Sequence, residues 1–173
     1  MTTATQTAIT AEFAVGFRDL LLQQLENEFT TTAKVIAAVP EGKKDWRPDP
    51  NARAAGDLAW HLASVDVGFL NQIADLKFSM DAGYKAPNTI GEIVTWYKNE
   101  TKKGLVRVSK MTPDQLLTNV DFLGAFNYPA FQYLVFLNNH QIHHRGQFAT
   151  YLRPMGAKVP GIYGGSFDEP WKG

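Results

Sequence analysis

The 173-residue chain contains no cysteine, which excludes disulfides, zinc ribbons, iron–sulfur clusters and a cysteine nucleophile together. Any metal site must therefore use nitrogen and oxygen ligands. An excess of charge of either sign is also lacking, with 17 Lys+Arg against 17 Asp+Glu and a pI of about 6.9. No basic run interleaved with aromatics occurs, so the electrostatic footprint of a nucleic-acid binder is missing. Nor is there a run of about 18 apolar residues, and Met1-Thr2-Thr3-Ala4-Thr5-Gln6-Thr7 has neither a basic nor an apolar signal region. The expectation is a soluble cytoplasmic protein with no nucleic-acid or membrane partner. An apolar fraction of 45% supports one well-filled core at this length. A single domain over 1–173 is expected, with residues 1–6 disordered.

What is present is helical periodicity. Phe13, Phe17, Leu20, Leu21, Leu25, Phe29 and Ile36 follow the three-and-four spacing of an amphipathic helix over 7–38. Two prolines in Asp45-Trp46-Arg47-Pro48-Asp49-Pro50 then predict an ordered loop, with Trp46 packed on the fold. A second helix is predicted over 54–76 through Leu58, His61, Leu62, Val65, Phe69 and Ile73. Residues 77–88 read as a connection across one end of the bundle. Thr89-Ile90-Gly91-Glu92 fits a capping box that opens a third helix ending near Lys110. Thr112-Pro113-Asp114-Gln115 predicts a helix of one or two turns. A fourth long helix is predicted from Asn127-Tyr128-Pro129 to Arg153, with a seam of Tyr133, Leu137, His140, His144, Phe148 and Tyr151. No strand run is convincing. The tail after Ala157 is too rich in glycine and proline for a helix, yet Val159, Ile162, Tyr163, Phe167 and Trp171 are too apolar for a free tail. The predicted fold class is all-α: an antiparallel four-helix bundle with a non-helical C-terminal tail packed on it.

The four histidines carry the chemistry. His140 and His144 stand four apart on the last long helix, about 40° apart around its axis and roughly 6 Å apart along it. They can share one metal ion. His61 sits in the apolar seam of the second helix, and His143 lies on the flank, as an outer-sphere or surface residue. Each buried imidazole left without a partner costs about 1–3 kcal/mol, so three in one core are a poor way to gain stability. Coordination reverses that sign. His61, His140 and His144 are therefore the predicted metal ligands, with at least one coordination position open to water or substrate. Nitrogen ligands suit zinc, nickel, iron(II) or copper and disfavour magnesium and calcium. Gln141 stands where a His-Glu-x-x-His protease needs its glutamate, and the inward Glu-x-x-His pairs of a di-metal bundle are missing.

Ala59-Trp60-His61-Leu62-Ala63, His140-Gln141-Ile142-His143-His144-Arg145-Gly146-Gln147 and Tyr151-Leu152-Arg153-Pro154-Met155-Gly156 together resemble the DinB/YfiT-like family. Val159-Pro160, Tyr163 to Glu169 and Trp46-Arg47-Pro48 extend the resemblance over most of the chain. It implies a four-helix bundle holding one divalent metal through three histidines, carried over to His61, His140 and His144, and a homodimer. It also implies S-transferase or isomerase chemistry with a low-molecular-weight thiol such as bacillithiol or mycothiol. Relatives serving in oxygen-dependent sulfur chemistry carry a glutamate two residues after the last histidine. Gly146 stands there, which disfavours that reaction.

The functional expectation is a metal-dependent enzyme transferring a low-molecular-weight thiol to a small electrophile. Metal coordination deprotonates a thiol that is otherwise mostly protonated at neutral pH. Arg145 and Tyr163 are candidate cofactor-binding residues, each arginine having a helix-packing ion pair as its alternative, and Arg153 stands with them. The alternative functions are a non-catalytic, stress-associated metal-binding protein, and a hydrolase working through metal-bound hydroxide.

Overall fold

The computed structural model describes residues 9–171, so the expectation of disorder in 1–6 lies outside the described residues. Four long helices dominate: α1 (Ala11–Ala37), α2 (Ala55–Ala74), α3 (Ile90–Ser109) and α5 (Tyr133–Leu152), with α4 (Pro113–Leu117) a short turn of helix. Their starts follow local chemistry. The hydroxyl of Thr10 accepts from Phe13 N at the head of α1, and Thr89 with Glu92 forms the expected capping box of α3. Thr112 and Gln115 form a second one, with Pro113 at the first position of α4. Helix α2 has no capping side chain. Its first amides donate instead to the preceding loop, Ala55 N to Trp46 O at 2.8 Å and Gly56 N to Lys44 O at 2.7 Å, which satisfies donors every helix start leaves open.

The long helices close a ring in which α1 touches α3 and α5, and α2 touches the same two. The four-helix bundle is as expected, and its helix directions are mixed. Along α2, Trp60 meets Trp96, Asp66 meets Tyr97 and Asn71 meets Arg107, so α2 and α3 run the same way. His61 meets His144 while Phe69 meets His140, so α2 and α5 run opposite ways. This corrects the reading of 77–88 as a link across one end. Two parallel helices of 20 residues oblige the chain to return along about 30 Å of bundle. The return is anchored by Tyr84, whose hydroxyl accepts from Asn71 at 2.9 Å and whose ring packs on Trp96.

A second correction falls before α5. Residues 119–129 form a hairpin, β1 (Asn119–Phe122) antiparallel to β2 (Phe126–Pro129), with Phe122 opposite Phe126. A 3-10 turn, Ala130–Gln132, leads into α5 at Tyr133. Pro129 disfavours helix at Tyr128, and Gly124 takes the positive φ of the turn at 77° while Asp121 accepts its amide. The hydroxyl of Tyr133 donates to Val120 O at 2.7 Å and accepts from Tyr128 N at 3.2 Å, tying the hairpin to the helix it precedes.

One cluster of buried apolar residues fills the bundle, from Ala14 to Met155. On α1 the buried stripe runs through Ala14, Leu21, Leu25, Phe29 and Ile36, leaving Phe13 and Leu20 of the expected seam exposed. Trp46 packs on the fold against Tyr151, with ring centroids 5.6 Å apart. In the tail Val159 and Ile162 pack on the core, whereas Phe167 and Trp171 remain exposed. Among the described residues, no helix is long and apolar enough to cross a membrane.

Candidate metal centre

Helices α2 and α5 cross so that His61, from one, faces His140 and His144, from the other. One ligand atom from each of the three lies within 4.8 Å of the other two. His61 Nε2 and His144 Nε2 are 3.3 Å apart. Two Zn–N bonds of about 2.0–2.1 Å at a tetrahedral angle hold their nitrogens roughly 3.3 Å apart, so this pair already has the separation of two ligands on one ion.

The outer nitrogens of α5 are oriented. His144 Nδ1 lies 3.0 Å from Gln147 Oε1, an acceptor that keeps the proton on Nδ1 and leaves the Nε2 lone pair toward His61. His140 Nδ1 faces Asp66 Oδ1 at 3.4 Å, a long contact, and neither buried atom has another hydrogen-bond partner among the described residues. Asp66 is completely buried and accepts from the Tyr97 hydroxyl at 2.7 Å through its other oxygen. Burial pushes its carboxyl upward, against the pull of His140 and Tyr97. A carboxylate behind a ligating histidine fixes the ring and raises its basicity.

Burial favours the neutral form of His61 and of His144. Burial, then the charge of Arg53 and then the neighbouring imidazoles lower His61 from 6.5 to about 4. Burial is also the largest cause lowering His144, opposed by Gln147, and Arg53 acts on that ring as well. Metal ligation requires neutral imidazole. Neutral rings, convergent lone pairs and oriented outer nitrogens together fit a divalent cation. The rings are half-buried rather than sealed, with the His140 side chain 22% exposed.

The structure thus brings His61, His140 and His144 together and places His143 outside them, exposed, its ring beside that of His144. Arg145 and Tyr163 meet elsewhere. Arg145 is buried between α5 and α1, ion-paired with Glu28, and donates to Glu28 O at 3.2 Å and to the Tyr163 hydroxyl at 2.6 Å. That hydroxyl donates in turn to the Glu28 carboxylate. Arg153 pairs with Asp168 at 2.6 Å. Both arginines therefore occupy ion pairs that pack the tail and helices.

Sequence reasoning missed Asp66, Tyr97, Gln147 and Arg53. The signal for Asp66 was legible: it is the only charged residue between Asp57 and Asp75 on an otherwise apolar helix. Spacing alone does not connect Tyr97, on another helix, to that carboxylate.

The DinB family model matches residues 3–172. A Bacillus subtilis (strain 168) relative designated uncharacterized protein YrdA is 29% identical over 154 residues, which span 87% of this chain and 90% of the relative. The crystal structure of a DinB-like protein from Bacillus cereus ATCC 10987 is similar with a TM-score of 0.70 and 28% identity, covering 83% of this chain and 95% of that one. A DinB-like protein from Bacillus subtilis, YjoA, shares the fold at a TM-score of 0.67 and 17% identity, over 83% of this chain and 97% of its own. With the family match running over nearly the whole sequence and the same bundle found in a Bacillus cereus relative, the chain belongs to the DinB family.

Proposed function

We propose that the protein is a metal-dependent S-transferase, joining a low-molecular-weight thiol to a small electrophile. The observation that carries this reading is the convergence of three imidazoles on one point that solvent still reaches. His61, His140 and His144 would hold the ion through three nitrogens, leaving coordination positions for a ligand from solution. A divalent cation there supplies Lewis acidity, which keeps a bound thiol in its thiolate form near neutral pH.

The chain's own groups do the rest. Asp66 and Gln147 hold the two α5 rings in the tautomer that faces inward. Arg53, close enough to act on two of the rings, attracts an anionic group of the incoming thiol. No side-chain nucleophile is required: the sulfur–carbon bond forms as the leaving group departs with its bonding pair, and the thiol proton passes to solvent.

The test is turnover. Protein loaded with zinc, nickel or iron(II) is mixed with a panel of low-molecular-weight thiols and an alkyl halide, and S-conjugate formation is followed by mass spectrometry. The proposal expects conjugation above the uncatalysed rate, lost in His140→Ala. Conjugation equal in the metal-loaded and histidine-deficient proteins would refute it.

A further inference from the structure

The return of the chain from α2 to α3 encloses more than a connection. A cavity of about 320 Å³ lies between the outer flank of α2, residues 78–84 and the hairpin tip, within the range of roughly 300–1,000 Å³ of small-molecule sites. Five aromatic side chains line it: Trp60, Phe69, Phe78, Tyr84 and Phe122. The polar groups lining it are Ser64, Gln72, Ser79 and Asp81, and among the described residues no lysine, arginine or histidine contributes. Gln72 Oε1 is occupied by Ser79 N at 2.8 Å and Asp81 Oδ1 by Gly83 N at 2.7 Å. An anion entering here would meet a carboxylate and no cation.

The cavity adjoins the histidine cluster. Val65, in its wall, lies one helical turn beyond His61 on the same face of α2. Phe69, two turns beyond, also lines the cavity and stacks on His140 with ring centroids 6.1 Å apart. One aromatic ring thus separates the cavity from a metal ligand. Gly68 keeps the space open at its floor, where an added Cβ would meet only Ala82 Cβ and Gln72 Nε2, both at 3.5 Å.

The geometry points to this cavity as the seat of the second substrate, an uncharged aromatic or apolar electrophile held beside the metal, an assignment that rests on reading the histidines as a metal site. The aromatic walls supply apolar burial and ring stacking. The missing cation sends the carboxylate or sugar portion of a thiol elsewhere, so the two reactants do not compete for one surface.

The test uses two inert probes, 4-fluorotoluene and 4-fluorobenzoate, titrated by fluorine NMR against zinc-loaded and cobalt(II)-loaded protein. Saturable binding of 4-fluorotoluene is expected, with 4-fluorobenzoate weaker by at least about tenfold. Cobalt(II) should broaden the bound fluorine signal beyond its width in the zinc form. Gly68→Leu fills the cavity from the helix and Ala82→Trp from the exposed loop. Each should weaken 4-fluorotoluene by about tenfold or more with metal content retained, and Ala82→Trp leaves the core untouched if Gly68→Leu fails to fold. Binding that is indifferent to Ala82→Trp, or equal for both probes, would overturn the assignment. Absence of extra broadening by retained cobalt would overturn its placement beside the metal. Protein that retains no metal, yet binds 4-fluorotoluene and loses it in Ala82→Trp, would support the cavity as an apolar site and strike the metal reading instead.

Discussion

The carboxylate of Asp66, at the centre of the bundle, stands 3.4 Å from Nδ1 of His140 and is held on its other oxygen by Tyr97. An unpaired buried carboxylate is a poor choice for stability alone. Behind a metal ligand it has a purpose. Asp66→Asn, which keeps the shape and removes the charge, is expected to weaken metal binding by about 10- to 100-fold. Competition against a chelator of known affinity measures it, with Tyr97→Phe giving a smaller loss in the same direction. Unchanged affinity in Asp66→Asn would remove the carboxylate from the account of the site.

Arg145 has a structural role that can be separated from the metal. Its guanidinium is buried and paired with Glu28, so Arg145→Ala leaves a buried carboxylate without its cation, held only by the Tyr163 hydroxyl, and should destabilise by about 3–5 kcal/mol. Tyr163→Phe removes one hydrogen-bonding hydroxyl at the edge of the pair and should cost about 0.5–1.5 kcal/mol. Denaturant unfolding gives both values, and folded Tyr163→Phe should retain its full metal content.

The histidine cluster was legible because its spacing and its burial agree. An i, i+4 pair on one apolar seam and a third imidazole on another can meet only if those two helices touch, which α2 and α5 do. Tertiary geometry decided the rest. Asp66 stands out as a lone charge on its helix, but only the fold supplies its partners, Tyr97 from α3 and His140 from α5. The hairpin did carry a local signal, since Val120 and Phe122, and then Phe126 and Tyr128, alternate on either side of Leu123-Gly124-Ala125. The helical seam beginning at Tyr133 masked it. The direction of α3 has no local signature at all, because a loop of this length serves either a turn at one end or a full return.

The close pairing of α2 with α3 is itself testable. A Cβ on Gly104 would sit 2.7 Å from Leu70 Cβ, so glycine here permits an approach that alanine does not. Gly104→Ala should destabilise by about 1–3 kcal/mol through overpacking, despite the roughly 1 kcal/mol gain in helix propensity. Thermal unfolding checks the sign, and a rise in melting temperature would contradict the tight helix contact.

Acid should loosen the metal-free protein through His61. The unfolded residue takes its proton near pH 6.5, whereas the folded one does so only near about 4, chiefly because of burial. Between those values the unfolded state binds more protons, so this contribution to stability is full above about pH 6.5 and is lost as pH falls toward 4. His144 shifts in the same direction, and Asp66, raised by burial, acts in the opposite one. Comparison of the wild type with His61→Gln in urea from pH 7.5 to 4.5 isolates the term. The difference in stability should shift against the wild type as the solution is acidified, and a constant difference would show that His61 titrates normally in the fold.

The most direct test is the metal content of protein purified from metal-replete cells, determined by plasma mass spectrometry. The three-imidazole site predicts about one divalent ion per chain, largely lost in His61→Ala, His140→Ala and His144→Ala and retained in His143→Ala, whose ring is exposed. Far less than one ion per chain in the wild type, or equal content in the wild type and all three ligand variants, would contradict the account.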